Sequence, residues 1–225
     1  MHNRQDVGQK SRIGILGSGD VGRALGRGFA SRGYLVKIGS RTPNSNKLRD
    51  WMKQAGKFVS VGSFADAATY GDFVVLATLG TAVEEVIDLA GASALEGKLL
   101  IDVAVPLDFS KGMPPGLFVG TTDSLGERIQ RKLPRTKVVK AFNIVGNPTM
   151  INPKMKEGLP TMIIAGNDAG AKNQVASILR EFGWEEPIDI GGIEGARWLE
   201  ALVPLWVRVA QQVGSWTVAF KVLRE

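Results

Sequence analysis

Two hydrophobic periods alternate along this chain of 225 residues. Short apolar runs, bounded by Gly, Ser, Asn or Asp and too brief for helices, predict strands at 12–17, 34–39, 58–61, 72–78, 98–103, 136–143, 159–166 and 187–190. Between them the apolar positions recur at helical spacing, predicting helices at 20–32, 46–54, 63–68, 81–89 and 123–133. A further helix runs from an Asn167 or Asp168 cap to Phe182, and Gly33 and Gly183 are placed to end helices. Stretches such as Phe73-Val-Val-Leu-Ala are apolar on both faces. Strands of that kind need helices above and below, so the pattern predicts an α/β fold with a doubly wound, mostly parallel sheet of about eight strands.

A long helix is expected last, over about 194–223. Leu202, Trp206, Val209, Val213, Trp216 and Phe220 follow one another at spacings of three or four, a single apolar stripe. Pro204 lies within it, which predicts a kink or a start at Val203. The stripe suits closure of the core, and a homodimer through this helix is expected in addition. Residues 1–11 read as a disordered tail, and nothing in 12–225 divides the chain, so one domain with a C-terminal helical extension is expected.

The rhythm breaks at 106–122. This stretch is rich in Pro and Gly, carries Phe109, Met113 and Phe118, and follows the C-terminal end of a predicted parallel strand. Ligands bind at such ends in open α/β sheets. A surface excursion whose apolar residues pack down fits the sequence equally well.

Composition narrows the chemistry. There is no cysteine, which excludes disulfides, thiolate metal sites and thiol catalysis, and the one histidine, His2, lies in the polar N-terminal stretch. No metal site is expected. Hydrophobic residues make up 44% and charged residues 22%, the balance of a soluble globular protein. No apolar run reaches 18 residues and no secretory core precedes residue 12, so a cytoplasmic protein with no membrane partner is expected. The net charge of +6 is scattered, without a recognition motif, which argues against nucleic acid and suits a polyanionic small molecule.

The most informative stretch is Arg12-Ile-Gly-Ile-Leu-Gly-Ser-Gly-Asp-Val-Gly22. A predicted strand meets Gly17, Gly19 and Gly22 in G-x-G-x-x-G spacing and opens into a helix. Gly17 makes the tight turn, Gly19 admits a pyrophosphate to the backbone, and Gly22 lets helix and strand pack closely, with Ser18, Asp20 and Val21 between them. The free N–H groups and positive dipole end of the helix complete an anion site, and the fold so specified is Rossmann-like. In NAD-binding versions the second strand ends in a carboxylate. Here it ends Gly39-Ser40-Arg41-Thr42, hydroxyls and a guanidinium suited to a 2′-phosphate, which points to NADP(H).

Taken with Asp102 to Pro106, Lys137-Val-Val-Lys-Ala-Phe-Asn143, Ala165-Gly-Asn-Asp168, Pro187-Ile-Asp-Ile-Gly191 and Ala196-Arg-Trp-Leu-Glu-Ala-Leu-Val-Pro-Leu205, these motifs give the chain a clear likeness. Over about residues 12–223 it resembles the deazaflavin (coenzyme F-420)-dependent NADP oxidoreductase family and the related cytosolic domain of six-transmembrane metalloreductases. The resemblance implies hydride transfer between NADP(H) and a soluble small-molecule ring acceptor, with coenzyme F-420, FMN or FAD as candidates. It also implies that Thr78, Leu79, Ala104, Val105 and Asn143 line the nicotinamide, Asn143 helping to position it. The deazaflavin enzymes carry histidine where Asn143 stands, and Lys140-Ala-Phe-Asn143 is worded more like the metalloreductase branch.

Hydride transfer between two rings needs alignment and exclusion of water and little acid–base machinery, which suits a chain with no histidine beyond His2. Two alternatives remain open at this level. One is an NADPH-binding sensor or partner module without turnover. The other is an NADPH-dependent reductase of a small carbonyl or imine that uses Lys140 and Asn143 as donors. Strand alternation opposes the second, since residues three apart face opposite ways, and a carboxylate partner or a sheet-margin position is expected for Lys140.

Overall fold

The computed structural model describes residues 10–223 and 225; most of the predicted N-terminal tail and His2 lie outside the described residues. The first half follows the predicted rhythm. β1 (Arg12–Leu16) leads into α1 (Asp20–Ala30), β2 (Leu35–Gly39) into α2 (Asn46–Ala55), and β3 (Val59–Gly62) into α3 (Phe64–Tyr70). At the start of α3, Ser63 and Asp66 cap each other reciprocally, satisfying two backbone N–H groups that the first turn leaves unpaired. β4 (Phe73–Leu76), α4 (Val83–Ala90), a turn of helix α5 (Ala92–Leu95) and β5 (Leu99–Asp102) follow.

β6 (Leu107–Asp108) and β7 (Gly116–Leu117) then form a small antiparallel hairpin within the Pro/Gly-rich stretch. After it come α6 (Leu125–Lys132), β8 (Lys137–Lys140), β9 (Ile163–Gly166), α7 (Ala169–Glu181), β10 (Ile188–Asp189) and α8 (Ala196–Val213). Asp168 is the residue that caps α7, accepting from the Ala171 N–H.

The main sheet has eight strands in the order β10-β9-β8-β5-β4-β1-β2-β3. Its alternating faces explain the all-apolar strands. Phe73 and Val75 of β4 join one core with Phe29, Trp51 and Phe182, while Val74 and Leu76 join the other with Val86, Ile87 and Ile129.

The sheet is mostly parallel, as expected, with one antiparallel pairing: β9 runs antiparallel to β8, and β10 follows β9. No helix of crossover length separates β8 from β9; the chain instead turns through Phe142 and Asn152, both at positive φ, and one 3₁₀ turn at Asn147–Thr149. The extent of the last helix is corrected: α8 ends at Val213 and not near residue 223, because Gly214 adopts a left-handed conformation and closes the helix onto the Ala210 carbonyl. Trp216 and Phe220 continue the helical spacing by coincidence. They belong to a segment that folds back, with the Trp206 indole donating to Val218 O at 2.8 Å and Thr161 N to Phe220 O at 3.0 Å. Pro204 also lies inside the helix and does not begin it. Among the described residues no helix is long and apolar enough to cross a membrane.

Candidate dinucleotide site

The parallel strands β1, β2, β4 and β5 all end on one edge of the sheet, and their following loops enclose a cleft of about 1180 Å³. At one end lies the glycine turn. Gly17 has φ +130°, and a Cβ there would stand 2.1 Å from the Ala77 carbonyl oxygen, so only glycine fits. Gly22 is equally constrained by the Gly17 carbonyl and packs inside the turn, away from the cleft lining. Gly19 differs: its φ is ordinary and a Cβ would meet nothing within 4 Å, because it faces the open cleft. It also stands at the start of α1 with no side-chain cap, leaving first-turn N–H groups directed at that space.

Ser18, Ser40, Arg41 and Thr42 share this end. The Ser18 hydroxyl donates to Ser40 Oγ at 3.0 Å, and Thr42 N donates to the same oxygen at 3.2 Å, which fixes the end of β2 against the glycine turn. Arg41 is exposed on the rim. Arg23 pairs with Asp20 and donates to Ser18 O, compensating the one carboxylate of the turn.

Toward the other end the cleft becomes apolar. Thr78 and Leu79 after β4 meet Ala104 and Val105 after β5. These loops touch closely, since a Cβ on Gly80 would lie 2.2 Å from the Val105 carbonyl oxygen. Leu79 is 72% exposed although it is a leucine at a cleft wall. The β6–β7 hairpin brings Leu107, Asp108, Phe109 and Phe118 to the same end, the two phenylalanines half-exposed. The undecided Pro/Gly-rich stretch is therefore part of the cleft wall. Phe64, Thr81 and Val86 also line it; helical periodicity alone gave no reason to single them out.

Of the residues expected at the site, Asn143 sits apart from the cleft lining. It is buried and donates from Nδ2 to Leu199 O at 2.8 Å, while its Oδ1 is unpartnered among the described residues. Lys140 is fully buried between Asp102 and Glu200, 2.5 and 2.7 Å away, which is the carboxylate partnership expected of it. The alternation argument did not hold in its geometry. β8 ends at Lys140, the chain turns at Phe142, and both Lys140 and Asn143 reach α8, at Glu200 and Leu199.

Known proteins share this arrangement. Residues 12–106 match the model of the family described as NADP oxidoreductase, coenzyme F420-dependent. The F420-dependent NADP reductase of Methanocaldococcus jannaschii is 30% identical over 213 residues, covering 87% of this chain and 91% of that protein. The chain belongs to the F420-dependent NADP oxidoreductase family. A crystal structure from Arthrobacter sp. FB24, provisionally described as an F420-dependent NADP-reductase, superposes with a TM-score of 0.91 at 39% identity, covering 96% of this chain and all of that one. Metalloreductase STEAP3 of Rattus norvegicus is 28% identical over 202 residues; these span 87% of this chain but only 38% of the metalloreductase.

Proposed function

We propose that this protein transfers a hydride between NADP(H) and a deazaflavin or flavin-type ring acceptor, with residues 12–225 working as one unit. The polarity gradient of the cleft carries the reading: backbone N–H groups, hydroxyls and Arg41 at one end, Leu79, Val105, Leu107, Phe109 and Phe118 at the other. The uncapped start of α1 suits a pyrophosphate, and Ser40, Arg41 and Thr42 suit a 2′-phosphate. Thr78, Leu79, Ala104 and Val105 suit the face of a nicotinamide. NADPH, when bound, supplies the hydride; the chain supplies alignment and a water-poor wall on which a second flat ring can stack.

The chemistry of the lining disfavours a small carbonyl or imine. Its ionisable residues are Asp20, Arg41 and Asp108. Asp108 is held below the usual carboxylate range by the Ser110 backbone N–H, so it is ionised near neutrality and a poor proton donor. Ring-to-ring hydride transfer asks for no such donor.

The test is NADPH oxidation, followed at its own absorbance, by purified protein with F420, FMN, FAD, ferric chelates, quinones and imines. Turnover on one soluble ring acceptor is expected. Tight NADPH binding with no turnover on any acceptor would identify a sensor or partner module instead, and selective turnover of an imine would overturn the proposal.

The outer face of α8 supports a homodimer. Trp198, Leu205 and Val213 remain more than half exposed in a row along one side. Leu205→Glu should shift the protein from dimer to monomer in light scattering; a wild-type monomer would refute this.

A further inference from the structure

We infer that Lys140, although it never reaches the cleft, is a positioning residue that presents the Val105 N–H to the carboxamide oxygen of the nicotinamide. The inference rests on the NADP(H) reading above. Lys140 Nζ donates to the Ala104 carbonyl oxygen at 2.7 Å, from behind the cleft wall. The only cis peptide among the described residues is Met113–Pro114, so the Ala104–Val105 peptide is trans. In a trans peptide the C=O and the N–H point in opposite directions. A carbonyl drawn inward to Lys140 therefore turns the Val105 N–H outward, and Val105 lines the cleft. Among the described residues no acceptor takes that N–H, whereas Val105 O is already engaged by Leu107 N at 2.8 Å.

The ammonium is itself held from three sides. Asp102 stands 2.5 Å away, and its other oxygen accepts from Ala104 N at 2.9 Å, so one carboxylate grips both ends of the Ala104 residue through Lys140. Glu200, from α8, lies 2.7 Å from Lys140 and also accepts from Leu125 N and Gly126 N at the start of α6. Burial by itself would lower the Lys140 pKa, but the two carboxylates outweigh it and raise it, so the cation persists. Such a group costs desolvation, and beyond neutralising Asp102 and Glu200 its one bond to backbone fixes the Ala104–Val105 peptide.

The experiment pairs a change in the protein with a change in the cofactor. Wild-type protein is titrated with NADP⁺, with thionicotinamide NADP⁺, whose carboxamide oxygen is replaced by the weaker acceptor sulfur, and with 2′,5′-ADP, which lacks the nicotinamide. Wild type should prefer oxygen to sulfur by about five- to tenfold, one hydrogen bond's worth. In Lys140→Met that preference should vanish while 2′,5′-ADP affinity stays within about twofold. Asp102→Asn, which keeps the shape but cannot satisfy Lys140 and Ala104 N together, should show the same change partway and serves if Lys140→Met does not fold. Equal affinity of the wild type for the two cofactors, or a preference that survives in a folded variant, overturns the inference. Failure of 2′,5′-ADP to bind the wild type would instead overturn the NADP(H) reading.

Discussion

Replacing Arg41 by alanine is the sharpest probe of cofactor choice. The side chain is exposed at the rim of the cleft, between Ser40 and Thr42, and removing it leaves no cavity. Folding stability should therefore hold. A hydrogen bond from a guanidinium to a charged group contributes about 1.5–3 kcal/mol, and exposure with salt screening places this one toward the lower figure. That corresponds to roughly a tenfold rise in Kd for NADPH. Ser40 is fixed in place by the bonds its hydroxyl oxygen accepts from Ser18 and Thr42, so its own O–H donates to the phosphate equally with or without Arg41 and does not replace the lost charge. NADH offers only a 2′-hydroxyl at this position, so its Kd should change by no more than about twofold. Nicotinamide fluorescence titrations of both cofactors, at low and high salt, measure the difference directly. Raising the salt should erode the NADPH preference of the wild type far more than that of Arg41→Ala. Equal losses for the two cofactors, or no loss for NADPH, would refute the assignment of Arg41 to the 2′-phosphate.

The two glycines of the turn should fail in different ways. Gly17→Ala places a Cβ against the Ala77 carbonyl at positive φ and should cost upwards of about 3 kcal/mol, read as a drop in Tm; Gly19→Ala should cost under about 1 kcal/mol yet weaken NADPH binding, and identical behaviour of the pair would contradict the geometry. Phe109→Ala with Phe118→Ala should raise KM for a ring acceptor several-fold while leaving the NADPH Kd alone, which steady-state kinetics can separate. Glu127→Gln tests a buried link between α6 and α8: hydrogen bonds from Arg197 and Ser124 hold the Glu127 carboxyl below its ordinary range. Because the folded-state pKa is depressed, its contribution is complete above the unfolded value near 4.5 and is lost as pH falls through the folded value. The variant should be about 1–3 kcal/mol less stable at pH 7, with the gap closing below pH 4.5 in denaturant titrations.

What the sequence determined by itself was local. Binary periodicity placed β1 to β5 and most of their helices to within a few residues, since the strands are short apolar runs and Ser63 and Gly33 punctuate the ends. The glycine spacing and the missing carboxylate after β2 made a nucleotide-binding edge legible, because a turn's conformational demands are written in a handful of adjacent residues. Tertiary structure decided the remainder. The direction of β9 depends on partners in β8 and on turns at Phe142 and Asn152, and the end of α8 on one left-handed glycine that overrides an unbroken apolar spacing. The loop at 106–122 joined the cleft because its hairpin packs beside Val105 and α8, a contact between residues about a hundred positions apart. For Lys140 the sequence suggested a carboxylate partner or a sheet-margin position without saying which carboxylate. Only when β5, β8 and α8 converge do Asp102 and Glu200 enclose it, and a charge taken out of water must satisfy its partners through contacts that no local pattern records.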